Sequence, residues 1–309
     1  PRMKFYTNFR GRGLLFLFFL SFIWFCAFSV RIIFAPILPL IEDEFMVNHA
    51  GASAIFIFLS VGYSIALIIS GLFSGRIGYK KTITLLLLLL SLTTLLTTFV
   101  YNFFLLYGVA FVLGFSVGLY LPSAIPLITE YYAENIWGKA IAIHDVGASS
   151  SIFATPFLVL LLLQFFPWRW IFWFYAFTFF ISSVFFFLVS REVKVSNSPR
   201  TVFRDVIRIR SLWITAIVWI FGAGANLGIY SITPLYLTKE LQLDIDFANT
   251  ILGISRLASI GVAVLCGFLV DRFSLKKMIF VMLIIASIFT VFLGLVSVRY
   301  IGIILFLQA

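Results

Sequence analysis

The sequence predicts an all-α polytopic membrane protein. Three observations carry this: the chain is too apolar for water, its apolar runs are about twenty residues long, and its few charges fall between those runs. Of 309 residues, 62% are hydrophobic and 11% charged, against roughly 45–50% and about 25% in a soluble domain. In lipid only helices and closed barrels satisfy their own backbone hydrogen bonds. Barrel strands would alternate over ~10 residues, so the long unbroken runs mean helices. The net charge of +10 sits in short inter-run clusters, the distribution of cytoplasmic loops, and nucleic acid is excluded as a partner. Cys26 and Cys266 fall inside apolar runs and read as small hydrophobic side chains.

Taken in order, the first run, at about 14–41, follows Arg2, Lys4, Arg10 and Arg12. It is too long for a signal peptide and offers no small-residue cleavage site, so it is a retained membrane helix. Runs at about 51–74, 82–100, 103–127, 139–164 and 167–190 complete a set of six. After a long loop come runs at 211–237, 247–270 and 278–298, with a tenth begun at 300. Loop charge sets the orientation. The N-terminus carries four cations, loop 75–81 three, and loop 191–210 six against two acids. The opposite loops carry Glu42, Asp43 and Glu44 without a cation, and a net negative 238–246. The N-terminus is therefore expected in the cytoplasm and the chain in a plasma (inner) membrane. Within the long loop, Arg200, Arg204 and Arg208 recur every four residues beside apolar neighbours. They form either a basic face lying on anionic headgroups or a solvated linker.

The polar phrase GLFSGRIGYKK at 71–81 returns as GFLVDRFSLKK at 267–277, after the second run of each set. Gly71, Arg76, Lys80 and Lys81 match Gly267, Arg272, Lys276 and Lys277, and Glu44 matches Glu240 at the same offset. The chain thus reads as a duplicated six-helix unit: a half at 1–190, a cytoplasmic loop at 191–210 and an incomplete second half at 211–309. The two halves are expected to be related by pseudo-symmetry, truncated at about nine and a half of roughly twelve helices.

The phrase is the signature loop of the major facilitator superfamily, G-x-x-x-D-R-x-G-x-K-K, and the sequence resembles that superfamily over its whole length. Gly71, Arg76, Gly78, Lys80 and Lys81 keep the pattern in the first copy, where Gly75 replaces the acid. Gly267, Asp271, Arg272, Lys276 and Lys277 keep it in the second, where Ser274 replaces a glycine. WGKAIAIHDVGASSS at 137–151 and PWRWIF at 167–172 are further family signs. The resemblance implies a monomeric secondary transporter of a small molecule, working by alternating access without a cofactor. It also implies that the loops gate one face by packing against the opposite half. Gly147, Ala148 and Ser149–Ser151 would let the fifth helix approach a neighbour closely. Gly253, Ala258, Gly261 and Ala263 of the eighth helix are one candidate partner, while ordinary helix packing is the better account of most of these glycines.

Inside the runs, Arg31, Asp145 and Arg256 carry charge. Each costs about 2.5–3.5 kcal/mol near a helix centre, so packing alone does not account for them. VRIIFAPILP at 30–39 is similar to the first helix of the organophosphate/phosphate antiporters, which implies a phosphate-binding role for Arg31; a structural arginine is the alternative. His144, in HDVG, is similar to the histidine of their HNVG, at the substrate cavity. Asp145 replaces the asparagine, and is either a proton carrier or gate, or an interfacial cap or salt bridge. Asn226 stands where those antiporters carry a second arginine, and Arg256 is expected to supply the missing cation. Asn226 and Tyr230 would lie near Arg31 if the first and seventh helices face each other. GAGANLG at 222–228 offers a flexible segment. The expected solute is a small organic anion, a carboxylate or phosphate ester, moved by proton symport or exchange. The alternative is a proton-driven drug exporter, against which Ala110 stands where R-x-x-x-G would need arginine before Gly114. A transporter-like receptor is a further alternative. No converging nucleophile, base and metal ligands suggest an enzyme.

Overall fold

The computed structural model describes residues 6–7, 9–193, 208–269 and 274–309. Asp271 and Arg272 of the second signature loop, and Arg200 and Arg204 of the long loop, lie outside them. Among the described residues, twelve α-helices follow in order: α1 (Arg12–Ile32), α2 (Phe34–Phe45), α3 (His49–Ile77), α4 (Tyr79–Thr98), α5 (Phe103–Gly118), α6 (Leu121–Tyr131), α7 (Trp137–Leu163), α8 (Trp168–Val189), α9 (Arg210–Leu235), α10 (Ile245–Leu269), α11 (Leu275–Leu293) and α12 (Ile301–Gln308). Among the described residues, eight helical stretches are long and apolar enough to cross a membrane. The protein is a multi-pass membrane protein. Its outward faces carry exposed Phe177, Phe180, Phe185 and Leu188 on α8 and Trp219, Ile220 and Phe221 on α9. Such patches suit lipid contact and not water.

Prolines explain where the apolar runs break. A proline has no N–H for the carbonyl four residues back, and its ring crowds that carbonyl. Pro36 deprives Ile32, and α1 ends at Ile32; Pro122 deprives Gly118, and α5 ends at Gly118. The first and fourth apolar runs are therefore each two helices in line. Pro156 leaves α7 continuous, and the carbonyl it strands, that of Ile152, lies 3.5 Å from the hydroxyl of Tyr230. Two starts, those of α3 and α5, carry side-chain caps. Asn48 accepts from the Gly51 amide at 2.8 Å and Asn102 from the Phe104 amide at 2.9 Å, each satisfying a donor the first turn cannot use.

The chain forms two compact units. One comprises Pro1–Phe34, Leu40–Ser151 and Leu161–Pro199; the other comprises Ala35–Pro39, Ile152–Leu160 and Arg200–Ala309. In the first, glycines bring α3 and α5 into backbone contact. A Cβ on Gly62 would stand 2.1 Å from the Phe111 carbonyl oxygen, and one on Gly118 2.5 Å from that of Tyr63. Gly147 plays the same part in α7 against the Ser21 carbonyl of α1, at 2.1 Å. The close neighbour at Gly147 is thus α1 and not the candidate eighth helix, because the α1 backbone already fills that space. In the second unit, Leu237, Ala248, Ile301 and Leu305 are buried together, with Tyr236 and Ile251 packed against them. Gly253 of α10 does meet α7 there, but at the Phe157 ring, 2.5 Å from where a Cβ would stand.

Candidate functional site

His144 lies one turn before Gly147, so the close α1–α7 approach presses its ring against α1. The imidazole is fully buried. It stacks on Trp24 at 9° between planes and on Tyr120 at 19°. Both ring nitrogens are engaged: Nε2 lies 3.2 Å from the Tyr120 hydroxyl and Nδ1 3.0 Å from Oδ1 of Asp145. The Tyr120 hydroxyl also donates to the Leu20 carbonyl at 2.8 Å. Tyr120 sits between α5 and α6, at the break that Pro122 imposes. The Asp145 side chain is 54% exposed. Ser21 Oγ donates to the Ile143 and His144 carbonyls at 3.0 and 3.3 Å, pinning α7 to α1 at this level.

Arg31, in the last turn of α1, is half-buried. Its guanidinium carbon lies 4.0 Å from the centroid of the Tyr63 ring and 5.5 Å from that of Phe28. Ring faces attract a cation most strongly where water is scarce. Gly118 holds the Tyr63 backbone against α5 and so sets the position of that ring. Among the described residues no carboxylate lies within ion-pair distance of Arg31.

Arg256 of α10 is 2% exposed. Its Nη1 donates to Oδ1 of Asn226 on α9 at 3.3 Å, and its guanidinium carbon lies 5.0 Å from the centroid of the Tyr230 ring. Among the described residues, Nε and Nη2 are buried with no hydrogen-bond partner. Three residues expected from the sequence, Asn226, Tyr230 and Arg256, thus come together in the second unit. Tyr230 is itself buried, with its hydroxyl 3.5 Å from the stranded Ile152 carbonyl.

The first signature loop is the turn between α3 and α4. Gly78 has φ of 89°, a backbone that costs any residue with a Cβ, and caps both helices. The Lys80 ammonium donates to the Ser190 carbonyl at 2.7 Å and sits over the Phe187 ring. A Cβ on Gly78 would stand 2.3 Å from Oε1 of Glu192. The contacts of Gly78 and Lys80 are therefore with the end of α8, inside the same unit. Arg76 and Lys81 are exposed, and Gly71 and Gly75 face open space. In the second copy Gly267 lies in α10, while Lys276 and Lys277 are exposed at the start of α11.

At the other ends of these helices, Arg169 of the PWRWIF stretch pairs with Glu44. It also donates to the Val100 carbonyl at 2.9 Å. Glu44 takes a further bond from the Trp168 indole N–H at 2.7 Å. One arginine so ties α2, α8 and the end of α4. The sequence marked Glu44 as loop charge and as the repeat mate of Glu240, and did not single out Tyr63, Tyr120, Trp24 or Arg169. Arg169 had a signal, since it follows a proline and is flanked by two tryptophans; the rings had none among 19% aromatic residues.

Residues 18–308 match the family model described as the Major Facilitator Superfamily. Comparison with curated proteins gives no match. Among solved structures, the fold is similar to a bacterial homologue of the human lysosomal transporter Spinster, inward-facing and unoccupied, with TM-score 0.77 and 16% identity over 96% of this chain and 71% of that one. It is similar to the nucleoside transporter NupG in a mutant form, with TM-score 0.76 and 14% identity over 95% and 78%. It is also similar to the D-xylose–proton symporter, with TM-score 0.63 and 15% identity over 95% and 79%.

Proposed function

The chain belongs to the major facilitator superfamily, and from that premise we propose that it carries a small organic anion by alternating access, with proton symport or exchange. The observation that carries the reading is the guanidinium of Arg256. A buried donor without a partner costs about 1–3 kcal/mol, more when charged, and Arg256 has two such nitrogens. Nε and Nη2 share one edge of the guanidinium plane and present parallel N–H bonds. That fork matches the paired oxygens of a carboxylate or phosphate. Asn226 engages Nη1 and the Tyr230 ring centroid lies 5.0 Å from the guanidinium carbon, so the remaining edge has a fixed direction. In the other unit Arg31 is a separate guanidinium held over the Tyr63 and Phe28 rings, with no carboxylate at ion-pair distance among the described residues. Its charge therefore stays available to an anion. The exposed loop cations support an N-terminus in the cytoplasm and residence in the plasma membrane. Proton coupling has a precedent on this fold in the D-xylose–proton symporter.

The testing experiment follows the melting temperature of the purified protein in detergent against carboxylates, phosphate esters and lipophilic cations. A ligand at a hundredfold excess over its dissociation constant adds about 2.7 kcal/mol of stability, a shift of several degrees. Stabilisation by one anion class, absent in Arg256→Gln, is the expected result. Stabilisation by lipophilic cations alone sinks the anion reading and leaves a drug exporter.

A further inference from the structure

From the hydrogen-bond directions around His144 we infer that His144 and Asp145 form a proton-binding site, holding one proton more than a neutral histidine beside a carboxylate. The Tyr120 hydroxyl has one proton, and of its two contacts the shorter, 2.8 Å to the Leu20 carbonyl, is a bond only if the hydroxyl donates there, since a carbonyl only accepts. The contact between Tyr120 and Nε2 at 3.2 Å is then a bond only if Nε2 carries a proton and donates to the hydroxyl oxygen. A neutral imidazole has no second N–H, so its Nδ1 would be a lone pair. It would face a carboxylate oxygen, also a lone pair, at 3.0 Å. One additional proton on that line removes the conflict, whether it resides on Nδ1 or on the Asp145 carboxyl. The two placements are microstates of one site.

The surroundings suit loading and release. His144 is fully covered and cannot meet water, whereas the Asp145 side chain is 54% exposed, so the proton enters and leaves through the carboxyl. Trp24 and Ser21 of α1 and Tyr120 between α5 and α6 face the ring. Cys26 is the other titratable group close enough to the Tyr120 hydroxyl to interact with it. No Lys or Arg of the described residues is paired with Asp145. With both nitrogens used inside the protein, His144 is left as the residue that orients the proton, and solute contact falls to other side chains. The inference rests on the reading above only for its use in coupling; the proton itself is measured with no solute present.

The chain has two histidines, and His49, exposed and paired with Glu42, is dispensable to the argument. The full chain carrying His49→Gln is labelled with nitrogen-15 histidine, purified in detergent and examined by nitrogen-detected NMR at neutral pH, with the carboxyl stretch followed by infrared spectroscopy. Either both His144 nitrogens are protonated, or Nδ1 is bare and a carboxylic-acid band is present that Asp145→Asn removes; each supports the site. A singly protonated ring with no such band overturns it. In Asp145→Asn the amide donates to Nδ1, and Nδ1 should move to the unprotonated range while Nε2 keeps its proton. Should that variant fail to fold, Tyr120→Phe is the second test. Without the hydroxyl acceptor a single proton suffices, so Nε2 should lose its proton and Nδ1 keep it. An Nε2 that stays protonated opposite phenylalanine overturns the count.

Discussion

A Cβ on Gly114 would stand 1.9 Å from the carbonyl oxygen of Leu59. No side-chain rotation relieves this contact, because both groups are backbone. Gly62 on α3 makes the reciprocal approach to α5, so the two helices meet as closely as their main chains allow. We expect Gly114→Ala to force them apart and cost about 1–3 kcal/mol, the range for overpacking a tight core, seen as a fall of several degrees in melting temperature. Gly108→Ala on the same helix, with nothing within 4 Å, serves as the control and should leave stability unchanged.

Where the sequence was readable, its physics was local. Runs of apolar residues mark helices because lipid leaves no other way to satisfy the backbone, and the breaks at Ile32 and Gly118 follow from Pro36 and Pro122 four residues on. Arg31, Asp145 and Arg256 stood out because charge in an apolar run is expensive. What the sequence did not reveal is which ring lies beneath which cation. Tyr63 and Tyr230 are two among many aromatic residues, and only helix packing, set at Gly118 and by the Ile152 carbonyl, selects them. The partner of Gly147 was left open between a candidate helix and ordinary packing for the same reason. A small residue announces a close approach without saying to what.

Glu44 accepts from both Arg169 and the Trp168 indole. Glu44→Gln should keep the acceptor for the indole and remove the counter-charge from a guanidinium that is only 11% exposed. Breaking a fully buried pair costs about 3–5 kcal/mol; Glu44 is partly exposed, so about 1–2 kcal/mol is expected here. Thermal melts of the single variants and of Glu44→Gln with Arg169→Met would check this. A double variant as destabilised as the sum of the two singles would show that the pair is not coupled.

Gly78 combines two constraints that can be separated. Its φ of 89° strains any residue with a Cβ, and the Glu192 carboxylate occupies the space such an atom would need. The carboxylate lies at the end of a flexible side chain and can move, whereas the turn between α3 and α4 cannot. Gly78→Ala should therefore cost about 1 kcal/mol or more, and adding Glu192→Ala should not restore the loss. Full recovery of the melting temperature in the double variant would assign the cost to the carboxylate and leave the backbone unstrained.

Arg256→Lys separates charge from shape. Lysine keeps the positive charge on α10 but offers a compact ammonium, which cannot bond Asn226 and still present two parallel donors along one edge. If the solute binds by a fork, the lysine variant should lose roughly one of two charge-assisted bonds, about 1.5–3 kcal/mol, or ten- to a hundredfold in affinity. If Arg256 acts only as a positive charge, the lysine variant should bind within a few-fold of the native protein while Arg256→Gln does not. Asn226→Leu divides the outcomes further. It removes the acceptor at Nη1 and lets the guanidinium turn, so a fork should weaken even though no group touching the solute has changed. The measurement is the dissociation constant, by calorimetry, of whichever anion stabilises the native protein. Equal affinity in the native, lysine and leucine forms would exclude the oriented edge and leave Arg256 at most an electrostatic role.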